Sequence, residues 1–314
     1  MDQYGWEVSP PIASKLQELD ILKKVFEKLP LSPAAIKIAR DRSFLNSAVS
    51  SAQIENIPST IQVPRKEGKN LERAYQWIYS QHRLNGLTIE IIKELHHKVM
   101  NELSDSAGKY RVEAWGIFNQ TGMEVMHAPL HTLLPDLIQE YTLYINNLHE
   151  HPLVIAAVGQ FIFEKIHPFA DGNGRTGRLI STYLFTKADY GFEGLIPIEK
   201  YINEHRSWYY QALEPSSNCT EFIDLFLESL ISQANLTLEE LKKPIINTAS
   251  SNLLPRRREL LEVIKDHPEC SFDFLHRRFM NQSPLSLHRD LKHLMQKELI
   301  KKLGDTRGVV YIET

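Results

Sequence analysis

Apolar residues recur at helical spacing along most of the chain, and this pattern predicts a mainly α-helical protein. Two longer apolar runs, 153–166 and 179–184, predict buried helices. We expect the four clearest amphipathic stripes to face a core. These stripes are Ile21-Leu22-Val25-Phe26-Leu29, Ile89-Ile92-Leu95-Val99, Leu134-Leu137-Tyr141-Tyr144-Leu148 and Phe222-Leu225-Phe226-Leu230.

One stretch, 112–127, breaks the helical pattern. Its apolar residues include Ile117 and Phe118, and they are followed by a polar tetrad with a glycine, 119–122, and by a second apolar segment. This order is typical of a β-hairpin. The edge of a lone hairpin in a helical domain can pair with a strand of another protein. We therefore expect Ile117 and Phe118 to help dock a partner, with a surface flap that has no partner as the alternative.

The C-terminal part of the chain has its own pattern. A polar stretch that ends in proline, 247–255, predicts a linker. Three helical patterns and a short β-ribbon follow, which is the outline of a winged helix-turn-helix domain. The helical patterns cover Arg256–Lys265, Phe272–Phe279 and Leu285–Ile300, and the ribbon covers 303–312. Segment 283–291 would be the recognition helix, with Ser283 as its cap and Pro284 in its first turn.

Composition narrows the classes of protein. Of the 314 residues, 42% are hydrophobic and 24% are charged, which is ordinary for a globular protein and excludes intrinsic disorder. The two cysteines have no close cysteine partner, so a disulfide scaffold is not expected. The chain contains no apolar run of membrane-spanning length, and its first residues lack the pattern of a secretory signal. We expect a cytoplasmic protein that makes no membrane contact.

Charge is unevenly distributed. Residues 251–314 contain 12 basic and 9 acidic residues, whereas the other 250 contain 24 basic and 30 acidic ones. A basic tail on an acidic body favours nucleic-acid contact there, and a solvated surface or a protein contact is the alternative. The basic side chains best placed for phosphate contacts are Arg256, Arg257, Arg258, His288, Arg289 and Lys292.

The densest chemistry lies in twelve residues between the two apolar runs. They read His167-Pro168-Phe169-Ala170-Asp171-Gly172-Asn173-Gly174-Arg175-Thr176-Gly177-Arg178. The flanking patterns make this segment a loop that enters a helix N-terminus, where backbone N–H groups and the helix dipole bind anions. The glycines Gly172, Gly174 and Gly177 allow the backbone to approach a phosphate closely.

The other side chains of this segment complete a phosphate-transfer site. Arg175 and Arg178 can bind phosphate oxygens, and Asp171 is a hard oxygen ligand for Mg²⁺. His167 is of the residue type that acts as a general base near neutral pH. The segment is not a Walker A loop, because no Gly-Lys-Ser/Thr follows. It predicts the transfer of a nucleotidyl group to a hydroxyl.

This segment resembles the signature of the Fic (filamentation induced by cAMP) family, His-x-Phe-x-Asp/Glu-Gly-Asn-Gly-Arg-x-x-Arg, at every fixed position. The resemblance extends over about residues 50–235 and includes the hairpin, which is similar to the family's target-docking flap. It implies transfer of AMP from ATP to a Ser, Thr or Tyr hydroxyl of a target protein, with Mg²⁺. In that activity His167 would take the hydroxyl proton and Asp171 would hold the metal.

The same resemblance assigns the phosphate contacts. Asn173 would place the α-phosphate, the backbone of 172–174 would form the anion hole, and Arg175 and Arg178 would bind the outer phosphates, with Thr176 and Gly177 in the same segment. A family segment that lies against the nucleotide is similar to the one around Tyr209 and Tyr210. Stacking on adenine and a core position for one of the two tyrosines both stay open.

A second resemblance concerns regulation. The string from Ser51 through Glu55 and Asn56 fits the family's inhibitory pattern, Ser/Thr-x-x-x-Glu-Gly/Asn. A helix over about 47–57 would place Ser51 and Glu55 on one face, and Pro58 would stop it. Glu55 would then pair bidentately with Arg178 and occupy the place of a γ-phosphate.

These patterns together predict a helical Fic core with a β-hairpin flap and a small C-terminal winged helix. We expect a helical N-terminal region over 1–110, a catalytic core over 111–246, and a linker with the winged helix over 247–314. Removal of AMP by means of Glu55, and DNA-binding regulation through 251–314, are the alternative functions. ATP and a target protein are the expected partners, and a homodimer stays open.

Overall fold

The computed structural model describes residues 1, 3–61, 65–81, 86–113, 116–118, 124–214, 217–242, 253–267, 270–280, 282–304 and 309–313. They divide into two compact units, 1–239 and 240–314. The fold is mainly α-helical, as the pattern of apolar residues predicts. Within the described residues, no helix combines the length and the apolar character needed to cross a membrane. The domain boundaries expected from the sequence stay predictions.

The first unit is built from helices around a central pair. Its helices are α1 (Pro10–Glu27), α2 (Pro33–Ile54), α3 (Lys66–Ser80), α4 (Ile89–Met100), α5 (Leu134–Asn147), α6 (Pro152–Ile166), α7 (Asn173–Lys187), α8 (Ile198–Glu204), α9 (Arg206–Ala212) and α10 (Thr220–Lys242). Short 3-10 turns lie at His131–Leu133 and Phe192–Gly194. The two apolar runs of the sequence form α6 and α7, which pack on each other at the centre. Helices α3 and α4 pack on α7, and α2 packs between α3 and α8.

The predicted hairpin is present as strands β1 (Gly116–Phe118) and β2 (Glu124–His127). The strands are antiparallel, with Gly116 opposite His127, and their register shifts between Ile117 and Phe118. The predicted polar turn lies outside the described residues.

Burial confirms two of the four predicted stripes and corrects the other two. The α10 stripe is fully buried, and in α4 only Ile89 at the first position is half-buried. In α1, however, Ile21 and Val25 are 63% and 40% exposed, because the buried face is formed by Ile12, Leu16, Leu19, Leu22 and Phe26. In α5 the buried apolar residues are Leu134, Ile138, Tyr141 and Ile145, a face turned slightly from the predicted one.

Helix α2 is longer than its inhibitory pattern indicates. It begins at Pro33, where the Ser32 hydroxyl accepts a hydrogen bond from the Ala35 N–H at 3.2 Å. It ends at Ile54, so Glu55 is the cap residue rather than part of the helix interior. The buried face consists largely of small residues, among them Ser43, Ser47, Ala48, Ser50, Ser51 and Ala52. Small side chains let the backbone of α2 approach its neighbours closely.

The second unit contains three helices and a three-stranded sheet. Its elements are α11 (Pro255–Asp266), β3 (Cys270–Ser271), α12 (Phe272–Arg278), α13 (Pro284–Gln296), β4 (Ile300–Leu303) and β5 (Val310–Glu313). The sheet is antiparallel in the order β3-β5-β4. No pattern in the sequence predicts β3. The helix predicted over Leu285–Ile300 ends earlier, at Gln296, because Ile300 already begins β4. Residues 247–252 of the predicted linker and the tip of the ribbon at 305–308 lie outside the described residues.

The predicted cap of α13 is confirmed, since the Ser283 hydroxyl accepts from the Ser286 N–H at 3.3 Å and Pro284 opens the first turn. The basic cluster at the start of α11 contacts a carboxylate, whereas phosphate contacts were expected. Asp290 of α13 is 1% exposed and accepts from Arg256 Nε at 2.5 Å and from Arg257 Nε at 2.7 Å. Two of the expected phosphate-binding arginines therefore neutralise a buried carboxylate.

Candidate active site

The twelve-residue segment forms the loop between α6 and α7 together with the first turns of α7. His167 ends α6 in the left-handed conformation, with φ 48° and ψ 58°. Gly172 precedes α7 with φ 78°, a conformation that suits glycine. A Cβ at Gly172 would also lie 2.8 Å from Met100 Sδ. The loop therefore turns sharply at both of its ends.

Two contacts hold the interior of this loop. Asn173 is 2% exposed, and its side chain accepts from the Phe169 N–H at 3.0 Å and donates to the Phe169 carbonyl at 2.7 Å. In this conformation the Asn173 side chain thus fixes the loop backbone rather than pointing at a ligand. The ring of Phe169, which is fully buried, stacks on His96 with 3.6 Å between the centroids.

The N-terminus of α7 presents backbone donors. The first intrahelical bond runs from the Thr176 N–H to the Gly172 carbonyl at 3.0 Å, so the N–H groups of 173–175 precede the helical ladder. Gly172 has no side chain that could cap them. Such N–H groups, together with the positive end of the helix dipole, form an anion site.

Arg178 is the sixth residue of α7 and is fully buried. Its Nη2 donates to Glu55 Oε1 at 2.9 Å and to the Ser51 carbonyl at 3.0 Å, and its Nε donates to Ser51 Oγ at 2.9 Å. The expected bidentate pair is therefore wrong: one carboxylate oxygen contacts Arg178, because Ser51 takes the Nε donor. Burial lowers the pKa of Arg178, but the opposing effects of Tyr209 and Glu55 outweigh it and raise this pKa overall.

Glu55 occupies the space above the N-terminus of α7. A Cβ at Gly174 would lie 2.4 Å from Glu55 Oε1, so a larger residue there would require the carboxylate to shift. Its side chain is 31% exposed, whereas that of Arg178 is 0% exposed. The carboxylate therefore lies at the solvent side of the ion pair, where an anionic ligand could replace it.

The end of α2 determines how Glu55 is presented. Asn56 adopts φ 59°, the Ile57 N–H donates to the Ala52 carbonyl, and the Asn56 N–H donates to the Gln53 carbonyl. This is the Schellman arrangement, whose left-handed position favours Gly or Asn. The Gly/Asn at this place in the inhibitory pattern thus has a conformational reason.

Asp171 and Arg175 pair at the mouth of the loop. Arg175 Nη2 donates to Asp171 Oδ1 at 2.9 Å, and the two side chains are 5% and 70% exposed. Asp171 thus presents an open carboxylate beside the helix N-terminus, which fits Mg²⁺ binding by one carboxylate together with substrate phosphates. Arg175 Nε is buried with no hydrogen-bond partner in the described structure.

Burial controls the charges of the two titratable groups at the end of α6. It lowers the pKa of His167 to about 4, with a further lowering by the Arg111 charge against the opposing effect of the Glu164 carbonyl. The imidazole is therefore neutral at pH 7 and can accept a proton. Burial likewise raises the pKa of Glu164 to about 8, so this carboxyl is mostly protonated at pH 7.

Comparison with known proteins identifies what this part of the chain resembles. Residues 86–185 match the Fic/DOC family model. Protein adenylyltransferase Fic of Drosophila erecta is 26% identical over 248 residues, which is 68% of this chain and 48% of that protein. The Drosophila persimilis protein of the same name is 26% identical over 288 residues, which is 76% of this chain and 54% of that protein. The chain thus spans about half the length of these curated relatives.

Solved structures show the same fold. A Fic family protein from Desulfovibrio desulfuricans superposes with a TM-score of 0.66 at 22% identity, covering 98% of this chain and 97% of that one. A Fic domain containing signaling protein from Bacteroides thetaiotaomicron gives a TM-score of 0.59 at 19% identity over 73% of this chain and 98% of the other.

The remaining predicted residues lie in and around segment 86–185 as follows. Thr176 is fully buried, and its hydroxyl lacks a hydrogen-bond partner in the described structure. A Cβ at Gly177 would lie 2.5 Å from Glu164 Oε1, so this glycine makes room for the buried acid. The strands that carry Ile117 and Phe118 are described, but their side chains lie outside the described structure.

The two tyrosines of α9 have different places. Tyr209 is 1% exposed, and its hydroxyl accepts from Arg178 Nη1 at 3.3 Å, so it is the core member of the pair. Tyr210 is 45% exposed, and its hydroxyl donates to the Ile54 carbonyl at 2.8 Å. Arg206 donates to the same carbonyl at 2.6 Å and to Asn56 Oδ1 at 2.7 Å. Helix α9 therefore holds the end of α2.

The sequence patterns do not predict two residues that hold the loop between α6 and α7. Gly108 N–H donates to His96 Nδ1 at 2.8 Å, which leaves Nε2 to donate to the Asp171 carbonyl at 2.9 Å. Burial lowers the pKa of His96 to about 4, so the ring is neutral at pH 7. Arg111, which is 4% exposed, donates through Nε to the His167 carbonyl at 2.9 Å. Both lie far from the loop in the sequence, and no local pattern identifies them.

Proposed function

We propose that this Fic domain transfers AMP from ATP to a Ser, Thr or Tyr hydroxyl of another protein, and that Glu55 inhibits the transfer. The contact of the Glu55 carboxylate with Arg178, directly above the N-terminus of α7, carries the proposal. A carboxylate occupies a place built for an anion, and the group that it displaces is a phosphate. The names of the curated relatives, protein adenylyltransferase Fic, support AMP as the transferred group.

Different residues of the site bind the phosphates, hold the metal and accept the proton. The N–H groups of 173–175 and the arginines bind the phosphates of ATP. Asp171 would hold Mg²⁺, which supplies charge neutralisation on the phosphates. The hydroxyl oxygen of the target attacks the α-phosphorus, the bond to the pyrophosphate leaving group breaks, and the hydroxyl proton passes to His167. The neutral imidazole of His167 is in the protonation state that this step requires.

Inhibition follows from charge and space. While Glu55 holds Arg178, the guanidinium is occupied by Glu55 and Ser51 and a negative charge lies where a terminal phosphate would bind. The terminal phosphate of ATP is repelled there, so ATP cannot adopt the pose needed for in-line attack. Once Glu55 leaves, Arg178 offers the same donor to a phosphate oxygen.

Intact mass spectrometry after incubation with ATP and Mg²⁺ tests the proposal on wild type, Glu55→Gly and Glu55→Gly/His167→Ala. We expect AMP to be added to the Glu55→Gly chain itself and not to the double variant, because loss of a general base typically costs roughly 10²–10⁴-fold in rate. Equal addition to the single and the double variant would contradict the role of His167. No addition to any of the three would contradict self-modification by AMP.

One observation favours AMP removal as a second activity. Glu55 contacts Arg178 through Oε1 alone and is 31% exposed, so its carboxylate could also orient a water for attack on a bound AMP ester. Incubation of an AMP-modified chain with Mg²⁺ and wild-type protein tests this activity. AMP release by wild type and not by Glu55→Gly would support it, and equal release by both would exclude Glu55 from the step.

The surface of the second unit favours DNA contact as an accessory function. Arg289 and Lys292 are exposed on α13, and Arg277 and Arg278 are exposed at the end of α12. Exposed cations of this kind bind phosphate backbones in a salt-dependent manner. Retention of the full chain on duplex DNA at low salt, lost in Arg289→Ala/Lys292→Ala, is the expected result. Absence of retention at low salt would exclude it.

A further inference from the structure

Arg111 lies between α4 and β1 and makes an unusual set of contacts for a buried charge. Its guanidinium donates to three backbone carbonyls, those of His167 at 2.9 Å, Glu113 at 2.9 Å and Pro129 at 2.5 Å. Its own N–H donates to the Pro168 carbonyl at 3.0 Å. A buried cation held by carbonyl dipoles is expensive compared with an apolar residue, so stability alone is a poor reason for it.

The positions of the three carbonyls indicate what this residue joins. Glu113 lies just before β1 and Pro129 lies just after β2, so they mark the two ends of the hairpin. The third carbonyl belongs to His167 in its left-handed conformation. One planar guanidinium therefore connects both ends of the hairpin with the backbone of the general base. A lysine has a single ammonium group and lacks the planar fork that spans three acceptors.

We propose that Arg111 is a positioning residue that fixes His167 relative to the 112–127 hairpin, so that a hydroxyl docked on the hairpin meets the imidazole in the correct place. This inference rests on the proposed AMP transfer for its functional part. Its structural part, the mechanical link between the hairpin and the loop, stands on the contacts alone. None of the described contacts of Arg111 involves Asp171 or the N–H groups of 173–175 that would bind phosphate.

Compared with Arg111, His96 holds the other end of the loop. It donates to the Asp171 carbonyl and contacts no residue of the hairpin among the described contacts. Loss of the His96 contact would thus disturb the loop at Asp171, the expected Mg²⁺ ligand, without separating His167 from the hairpin. The two residues therefore serve as a matched pair for a test.

Hydrogen–deuterium exchange of the chain without nucleotide measures the mechanical link. In Arg111→Met we expect faster exchange in peptides that cover both 116–127 and 163–172, with an intermediate effect in Arg111→Lys. In His96→Asn we expect faster exchange in 163–172 only. Arg73→Met, a change of an exposed arginine on α3, is the control and should leave both peptides unchanged. Exchange in Arg111→Met that matches the control would overturn the link.

Self-modification with ATP and Mg²⁺ in the Glu55→Gly background measures the functional consequence. Arg111→Met should lower the rate at saturating ATP on the order of 100-fold, because a displacement of about 1 Å at reacting groups has that effect. The ATP concentration for half-maximal rate should stay the same, and Arg111→Lys should recover part of the rate.

The outcomes separate this inference from the proposed function. A raised half-maximal ATP concentration with an unchanged maximal rate would make Arg111 a nucleotide-binding residue and overturn the inference. If the Glu55→Gly parent itself adds no AMP, the proposed function fails, while the exchange experiment still decides the link. If Arg111→Met does not fold, the link is tested by comparing hydrogen–deuterium exchange of Arg111→Lys with that of Arg73→Met.

Discussion

The two units each contain a carboxylate held by arginine, and the two arrangements have opposite burial. In the first unit Arg178 is 0% exposed and its partner Glu55 is 31% exposed. In the second unit the carboxylate of Asp290 is 1% exposed, whereas Arg256 and Arg257 are 36% and 22% exposed. The buried member is the cation in one case and the anion in the other.

This difference decides which contact can be exchanged. Glu55 can move into solvent and leave a buried cation beside a helix N-terminus, where a phosphate can take its place. Asp290 cannot leave, since it lies within α13 and would remain buried without its partners. The first pair therefore suits regulation, and the second set fastens α11 to α13.

The largest expected effect concerns transfer activity, which should respond to a change of Glu55 and not to a change of Asp290. Hydrogen bonds that involve charged groups contribute about 1.5–3 kcal/mol, so Glu55→Gly should raise self-modification by roughly 10- to 100-fold. Asp290→Asn should leave the rate unchanged while the first unit stays folded. Radiolabelled AMP incorporation measures both. An equal increase in the two variants would show that general loosening, rather than release of Arg178, activates the protein.

The next effect concerns the free energy of unfolding, which should fall more when Asp290 is changed than when Glu55 is changed. Removing one partner of a buried ion pair is strongly destabilising, and Asp290→Asn should lower the free energy of unfolding of the second unit by on the order of 3 kcal/mol. Glu55→Gln should cost about 1 kcal/mol or less in the first unit, because water can reach the site and Ser51 keeps its contacts. Hydrogen exchange of α13 and α7 peptides reports the two units separately. A larger loss for Glu55→Gln would reverse the assignment of the two pairs.

Acid provides a third and smaller test, which acts on the first unit through His96. The pKa of His96 is lowered to about 4 in the folded chain, whereas an unfolded histidine titrates near 6.5. The unfolded chain therefore binds more protons below pH 6.5, and stability falls as the pH drops towards 4. Between pH 7 and pH 5 we expect His96 to account for about 2 kcal/mol of the loss. Urea unfolding of His96→Asn should show a weaker pH dependence than wild type, and His149→Asn, a change of an exposed histidine, should not.

The smallest effect concerns the contacts that hold the end of α2. Arg206→Ala removes the donor to the Ile54 carbonyl and to Asn56, so Glu55 should spend more time away from Arg178. A loss of about 1 kcal/mol in this restraint should raise self-modification about fivefold, less than Glu55→Gly does. The double variant Glu55→Gly/Arg206→Ala should match Glu55→Gly. A further increase in the double variant would mean that Arg206 acts on something other than Glu55.

The sequence predicts the helix–loop–helix of the site because its signals are local. Apolar runs on both sides and a glycine-rich segment between them suffice to place α6, the loop and α7. The extent of α2 could not be predicted in the same way, since six of its nine buried residues are Ser or Ala and only three are larger apolar residues. Strand β3 has two residues, which is too short for any periodicity to show.

Contacts between distant residues explain the rest of what sequence analysis missed. Nothing near Arg111 or His96 indicates that they hold carbonyls of the loop, because those carbonyls carry no sequence information. The pair Arg256-Arg257 predicts phosphate binding in the sequence because its partner, Asp290, lies 34 and 33 positions away. Charge in a sequence thus predicts surface chemistry only when the folded partner of each charge is known.

The order of Glu55 and Arg178 along the chain has a consequence for biosynthesis. Glu55 lies 123 positions before Arg178, so α2 leaves the ribosome before α7 has been translated. Synthesis proceeds from the N-terminus, so the earlier segment is available first. Under the proposed inhibition, the Glu55 carboxylate has therefore been synthesised before α7 forms and is available to occupy the site as soon as α7 folds. A chain with the inhibitory helix after α7 would pass through an uninhibited intermediate each time it is made.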